Sequence, residues 1–322
     1  MPLALILVRW LHLSASILLA SLFLFEAVIV VPTARKASAD VGHLLGRIHQ
    51  LTCRTALLTL LVALISWFGW SWLVASTMTG DDLIECLQSG DWLTVLTGTQ
   101  FGHIWLFRVI VSLVFGIILW VVARTSGRRS FLQITLAGLS AIELVSLAWA
   151  GHGSASPGPF GVVHLLGDGL HLLTAAFWPG ALAPLAAFLF LLLKSNQLEA
   201  IRLAAPVVRR FSASSLIAVA SLALTGLLNS IFMVGSLRAF LTSAYGQILI
   251  SKLILFCAMI GFGAWNLFLL KPRIAVDLQT AKVGQETSAV SLLLRNVLWE
   301  TGLGTLVILI VGLLGITPPP MR

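Results

Sequence analysis

Long apolar runs separated by short polar connections dominate this chain, and their lengths set its architecture. A helix needs about 20 apolar residues to cross a hydrocarbon core about 30 Å thick. Eight stretches reach that length, at approximately 3–31, 52–76, 103–123, 131–150, 161–193, 212–234, 246–270 and 296–316. Numbered in order, these are spans one to eight. They predict an all-α, polytopic transmembrane helical bundle of about eight helices, one integral membrane domain over residues 1–322. Residues 82–96 (DLIECLQSGDWLTVL) have apolar positions at roughly helical spacing and are expected to lie along the outer surface. Residues 151–160 (GHGSASPGPF) form a loop by their Gly, Ser and Pro content. No Lys or Arg precedes Arg9, and Arg9 and His12 interrupt the first apolar run. The first segment is therefore expected to be a retained helix and not a signal peptide.

Cations alternate from one connection to the next. Arg35, Lys36 and Arg47 lie between spans one and two, and Arg124, Arg128 and Arg129 between three and four. Lys194, Arg202, Arg209 and Arg210 separate five from six, and Lys271, Arg273, Lys282 and Arg295 separate seven from eight. The other connections are nearly free of cations, and residues 77–102 carry Asp81, Asp82, Glu85 and Asp91 instead. Cytoplasmic loops hold the cations, so both termini are expected in the periplasm of a bacterium, with the chain in the inner (cell) membrane. Composition agrees: 58% of residues are hydrophobic and 10% charged, with mean hydropathy +1.01. The net charge of +8 follows from the loops. Those cations are scattered and not gathered with aromatics on one face, so lipid is the expected partner and nucleic acid is excluded.

Five of the seven histidines gather where spans meet one side of the membrane: His12, His103, His152, His164 and His171. Span one ends inside near Pro32, and twenty residues back is His12; span three ends near Arg124, and the same count returns to His103. Span four runs from Phe131 to Ala150, just before His152. A slight tilt of span five brings His171 to that boundary, with His164 about 10 Å further out. Imidazole is costly in lipid and is a common metal ligand, so a layer of imidazoles first suggests a metal or haem site. On span five His164, Asp168 and His171 fall at i, i+4 and i+7 and share one helical face. Asp168 between them is a ligand or a carboxylate that orients an imidazole. Each histidine alone also has an ordinary reading as a hydrogen-bonded interfacial residue. His43 and His49, near the first cationic loop, are expected among solvent or headgroups, with an exit-side role or an inner haem layer as the alternative.

Other polar residues inside the spans are candidates for a pathway or its support. Glu26 lies fourteen residues past His12 on a similar face, giving span one a polar side turned into the bundle. Glu143 is expected to pair with Arg108 or Lys252, and Arg54 with Glu300. Asn229 and Asn266 are expected to cross-link helices. Cys53 and Cys257 fall in apolar helical stretches and are expected to be buried; Cys86 lies in a polar loop and is expected to be open to reaction. The five methionines form no closely spaced array, which disfavours a thioether ladder for Cu(I).

Several of these residues fall within recognisable motifs. Gly151–His152, His164, Asp168–Gly169–Leu170–His171 and Phe177–Trp178–Pro179–Gly180 follow one another in order. Further on come Leu224–Thr225–Gly226–Leu227–Leu228–Asn229 and Tyr245–Gly246–Gln247–Ile248–Leu249–Ile250–Ser251–Lys252–Leu253. The series resembles the copper resistance protein D (CopD) family, which has a Gly-His loop, an Asp-x-x-His segment, a Trp-x-Gly, a Ser/Thr-Gly-x-x-Asn and a Tyr-Gly-x-x-Leu-x-x-Lys. The resemblance is clearest over residues 140–270. It implies copper handling at the bacterial inner membrane, by inward movement or with a periplasmic copper carrier. It supports His152, His164, Asp168 and His171, and more weakly Trp178, Asn229 and Lys252. His12 and His103 rest on depth alone. Pro179 replaces a small or apolar residue of the Trp-x-Gly and is expected to distort span five.

The leading expectation is a copper-binding protein that captures copper at a periplasmic histidine cluster and transports it across the membrane. The alternative is a b-type haem membrane oxidoreductase with bis-His ligation, acting on copper or quinone, with His12, His103, His152 and His171 as candidate ligands. A third reading is an assembly factor that delivers copper without moving it across. The absence of a Gly-x-Ser-x-Gly, a P-loop, an Asp-Lys-Thr-Gly and a Cys-Pro-Cys disfavours a serine hydrolase or a copper-pumping ATPase.

Overall fold

The computed structural model describes residues 2–35, 41–124, 130–150, 158–195, 197–280 and 288–320. Among them, eight helices are long and apolar enough to cross a membrane: Pro2–Ala34, Gly42–Thr79, Gln100–Arg124, Phe131–Ala150, Gly161–Ser195, Leu198–Val234, Ala244–Leu278 and Ser288–Leu314. No strand occurs among the described residues. The eight expected spans are all present, and an even number of crossings brings both termini to one end of the bundle, the termini side. Spans two, six and eight begin eight to fourteen residues before the bounds set by apolar content. Their early turns carry Arg47, Arg202, Arg209, Arg210 and Arg295. Long cationic side chains reach back to the headgroups, so they end the apolar run without ending the helix.

Span one is the central helix. It packs against spans two, four, five and eight, and Leu19 and Ala20 at its middle are fully buried. The largest apolar cluster joins the other end of span one to spans two and five to eight, through Phe25, Leu185, Leu189, Val207 and Val290. On the bundle's outside, Ile65, Ile117, Phe131, Ile217 and Phe268 are exposed, as expected of side chains that face lipid.

The segment after span two folds as two short helices, Leu83–Gln88 and Asp91–Gly98. Asp82 caps the first by accepting from the Ile84 and Glu85 amides at 2.8 and 2.9 Å. Cys86 turns inward beside Ala75 and Val95 and is fully buried. Burial and the neighbouring Asp81 push its thiol above the ordinary range, so the expected reactive loop cysteine is instead a packed one. Cys257 departs in the opposite sense: it is exposed and lines a cavity.

Among the described residues, three spans contain one π-helical turn each, Glu26–Val30, Ala176–Gly180 and Asn266–Leu270. Each adds a residue to the local turn and re-aims the face that follows, a device common at functional sites. Each also holds a residue singled out in the sequence: Glu26, Trp178 and Asn266. In span five the cause is visible. Pro179 has no amide to donate, and the helix widens around it. Ser21 Oγ of span one lies 2.9 Å from the Ala176 carbonyl oxygen. Gly180 makes that approach possible, since a β-carbon there would collide with Ser21 Oγ and lie 2.7 Å from Ile17 Cγ2.

Candidate functional site

The stripe on span five forms as its spacing predicts, and spans six and seven complete it. His164 is buried, stacks on Phe232 with ring centroids 4.7 Å apart, and sets Nε2 3.7 Å from Asp168 Oδ2. Asn229 Nδ2 donates to Asp168 Oδ1 at 2.6 Å. Lys252 is close enough to Asp168 and His171 to interact with both electrostatically. His171 Nδ1 lies 2.9 Å from Thr225 Oγ1, whose own proton goes to the Ser221 carbonyl at 2.7 Å. The imidazole therefore donates from Nδ1, and the lone pair of its Nε2 stays free of that bond. His171 and Lys252 line a cavity of about 860 Å³ with Trp178, Phe256 and Gly304. Its walls are mainly apolar. Two buried polar atoms in the cluster, His164 Nδ1 and Asn229 Oδ1, have no partner among the described residues.

A second polar cluster joins spans one to four on the same side. His12 is buried with both ring nitrogens engaged. Nδ1 lies 3.1 Å from the Ala63 carbonyl oxygen and 3.0 Å from Ser66 Oγ, and Nε2 accepts from Arg108 at 2.8 Å. Arg108 also donates to Ser16 and Ser146, to the Glu143 carbonyl oxygen, and to Glu143 Oε1 at 3.4 Å. Of the two partners expected for Glu143, Arg108 is the one it has. His103 faces outward and donates from Nε2 to the Thr97 carbonyl at 2.7 Å.

The expected layer is thus not a single ring. His12 turns into the first cluster, His164 and His171 into the second, and His103 to the exterior, because equal depth leaves the direction of each helical face open. His152 lies outside the described residues. Among those residues, no group of three or more His, Cys, Asp or Glu able to hold a metal ion occurs. His12 has both ring nitrogens engaged and His103 faces outward, so the bis-His pairs expected for haem find no support among the described residues.

Sequence comparison bears on what these clusters serve. A family model described as "Copper resistance protein D-like, N-terminal domain" matches residues 1–162, and one described as "Copper resistance protein D" matches residues 205–314. The chain belongs to the copper resistance protein D family. Copper resistance protein D of Pseudomonas syringae pv. tomato is 28% identical over 279 residues, covering 85% of each chain. Inner membrane protein YebZ of Escherichia coli (strain K12) is 28% identical over 76% of this chain and 78% of its own. Copper transport protein CutJ of Bacillus subtilis (strain 168) is 31% identical over 59% of this chain, which spans 34% of that protein. No solved structure matches. The first hundred residues, where motif resemblance to the copper resistance protein D family is faint, fall inside a matched stretch. His164, Asp168, His171 and Trp178 lie between the two.

Glu26 and Asn266, further candidates of this family member, sit toward the opposite side. Glu26 accepts from His49 Nδ1 at 2.7 Å and from Gln133 Nε2 at 3.2 Å. His49, expected among headgroups, instead turns inward, because a buried carboxylate needs a donor more than an exposed imidazole needs water. Asn266 donates to Glu300 Oε1 at 2.6 Å and accepts from Asn296 at 3.0 Å. Glu300 is therefore held by Asn266 and not by the expected Arg54, which is exposed. Trp178 is buried against Phe256 at 5.8 Å. Thr225, Gln133 and Ser66 were not picked out from sequence. Thr225 precedes the glycine of the quoted Thr-Gly-x-x-Asn and was within reach. Gln133 and Ser66 carry no local signal.

Proposed function

We propose that the chain is a copper-handling protein of the bacterial inner membrane. It captures copper on the periplasmic side at the span-five cluster and passes it inward. The observation that carries this reading is the polar cluster of His164, Asp168, His171, Asn229, Thr225 and Lys252, of which His171 and Lys252 line one cavity. Imidazole and carboxylate are ligands that copper accepts. Asn229 fixes Asp168, and Thr225 fixes the tautomer of His171, as supports of a metal site do. Lys252 offsets the charge of Asp168 while the site is empty and would be repelled by an arriving cation, which favours its withdrawal. The termini side is the periplasmic one, by the bias of Lys and Arg toward the other connections. Asp81, Asp82, Glu85 and Asp91 on that side would draw cations, or a basic copper carrier, by their common field.

Copper titration of the purified chain tests this. Wild type should bind copper in a defined ratio, and His164→Ala and His171→Ala should each weaken binding by roughly 10- to 100-fold. Unchanged ratio and affinity in both variants would reject the site. Uptake of copper into vesicles separates transport from delivery at the membrane surface.

A further inference from the structure

Glu26, His49 and Cys53 form a chain of contacts that the periplasmic cluster does not use. Cys53 is four residues after His49 and on the same helical face. Its sulfur lies 3.7 Å from His49 Nε2, while the other ring nitrogen is 2.7 Å from Glu26 Oε1. Gln133 Nε2 holds the same carboxylate oxygen at 3.2 Å. Glu26 and Cys53 are buried, and Glu26 Oε2 is buried with no partner among the described residues. The carboxylate receives the Nδ1 proton, so Nε2 presents its lone pair to the sulfur. A carboxylate behind an imidazole is the usual support of a metal-bound histidine, and it raises the basicity of the ligating nitrogen. Glu26 opens the π-helical turn of span one, fourteen residues from His12, or about 21 Å down the helix. The trio therefore lies in the half of the bundle away from the termini.

We propose that Cys53 Sγ and His49 Nε2 form a second metal site, which takes Cu(I), with Glu26 as the group that positions His49. Bonds of about 2.3 Å to sulfur and 2.0 Å to nitrogen bridge a 3.7 Å gap at an angle of roughly 120°. That bent geometry leaves a third direction open. Two donors suffice for Cu(I), whose filled d shell imposes no four- or six-ligand geometry, and a thiolate selects it over harder ions. Binding releases the thiol proton to solvent as the sulfur takes the ion, with no change in the oxidation state of either. Cys53 belongs to an apolar cluster with Leu22, Phe23, Ala56 and Leu119. A metal ion is small enough to reach it there, and a small alkylating reagent reaches it through local opening of the bundle. The choice of copper rests on the proposed function; the donor pair does not. The two clusters then mark entry and exit ends of one protein, with a mixed imidazole and carboxylate site at one and a soft site at the other.

Alkylation of Cys53 tests this in the full chain with Cys86 and Cys257 replaced by Ser. Cu(I), supplied anaerobically from a competing chelator, should slow modification of Cys53 by roughly tenfold or more. His49→Ala should abolish the protection. Glu26→Gln should weaken it, because the amide no longer draws the Nδ1 proton. His171→Ala should leave it intact. Melting curves show which variants are folded. If His49→Ala does not fold, X-ray absorption of the Cu(I)-loaded chain decides instead: one sulfur neighbour beside nitrogen is expected, and a spectrum without sulfur overturns the site. Protection that persists in folded His49→Ala, or none in a chain that binds copper elsewhere, also overturns it while leaving the periplasmic cluster standing. A chain that binds no copper at all overturns both.

Discussion

Two polar clusters share one side of this bundle and differ in a single respect. In spans one to four, His12, Arg108, Glu143 and their serines are joined donor to acceptor and packed under Trp70 and Trp105. In spans five to seven, His171 and Lys252 border a cavity, and His164 Nδ1 and Asn229 Oδ1 have no partner among the described residues. Both clusters contain histidine beside a carboxylate and a cation, so residue type does not distinguish them. The kind of unpaired atom does. The first cluster leaves a donor, Arg108 Nε, without a partner, and a donor cannot ligate a cation, whereas the second leaves an acceptor, Asn229 Oδ1, unpaired and sets the Nε2 of His171 at a cavity. On the proposed function, the first cluster serves adhesion and the second ligand capture.

The largest test removes the centre of the first network. Arg108→Met leaves Glu143 and the Nε2 of His12 without their shared donor. Breaking one partner of a buried pair costs about 3–5 kcal/mol, so the variant should lose most of its folded yield, read by thermal melting in detergent. Adding Glu143→Gln removes the stranded charge and should restore most of that loss. The rescued double variant should bind copper as wild type does. Weakened copper binding in a folded double variant would merge the two clusters and end the distinction. On the other side the effect should fall on copper and not on folding. Asn229→Ala frees Asp168 to turn away, and copper affinity should drop roughly 10- to 100-fold.

The close contact beneath the second cluster comes next in size. Gly180→Ala would drive a methyl into Ser21 and Ile17 where spans one and five meet. Overpacking of this kind costs about 1–3 kcal/mol. Because the same π-helical turn carries Trp178 at the cavity wall, copper affinity should fall along with the melting temperature. A fall in stability with unchanged affinity would show that the turn does not help to set the cavity.

Apolar run length alone located all eight spans, since the bilayer fixes how much greasy helix is needed. Starts were missed where cations end the run but not the helix, as at Arg47 and Arg209. The stripe of His164, Asp168 and His171 was legible because one helix carries it and its spacing is fixed by 3.6 residues per turn. What could not be read was rotation. His12 and His103 reach the right depth by residue count, yet one points into Arg108 and the other to the exterior. Rotation depends on packing between helices distant in sequence, and on turns such as Ala176–Gly180 that shift every later side chain. The same reason hid His49, whose inward turn depends on Glu26 of another span.

The smallest expected effects set one chemical deletion against itself in the two clusters. Thr225→Val and Ser66→Ala each remove a hydroxyl within reach of an imidazole Nδ1. At His12 that nitrogen keeps the Ala63 carbonyl oxygen, 3.1 Å away, as an alternative acceptor. Losing Ser66 should therefore cost about 0.5–1.5 kcal/mol at most and leave copper binding untouched. At His171 the threonine is the partner that fixes the tautomer, and Val keeps its shape while removing that bond. Copper affinity should fall measurably with little change in melting, because the imidazole is then free to turn or to move its proton to Nε2. Equal and negligible effects of the two variants on copper would mean that the tautomer of His171 does not matter there. The cavity-side cluster would then share the purely adhesive role of its neighbour.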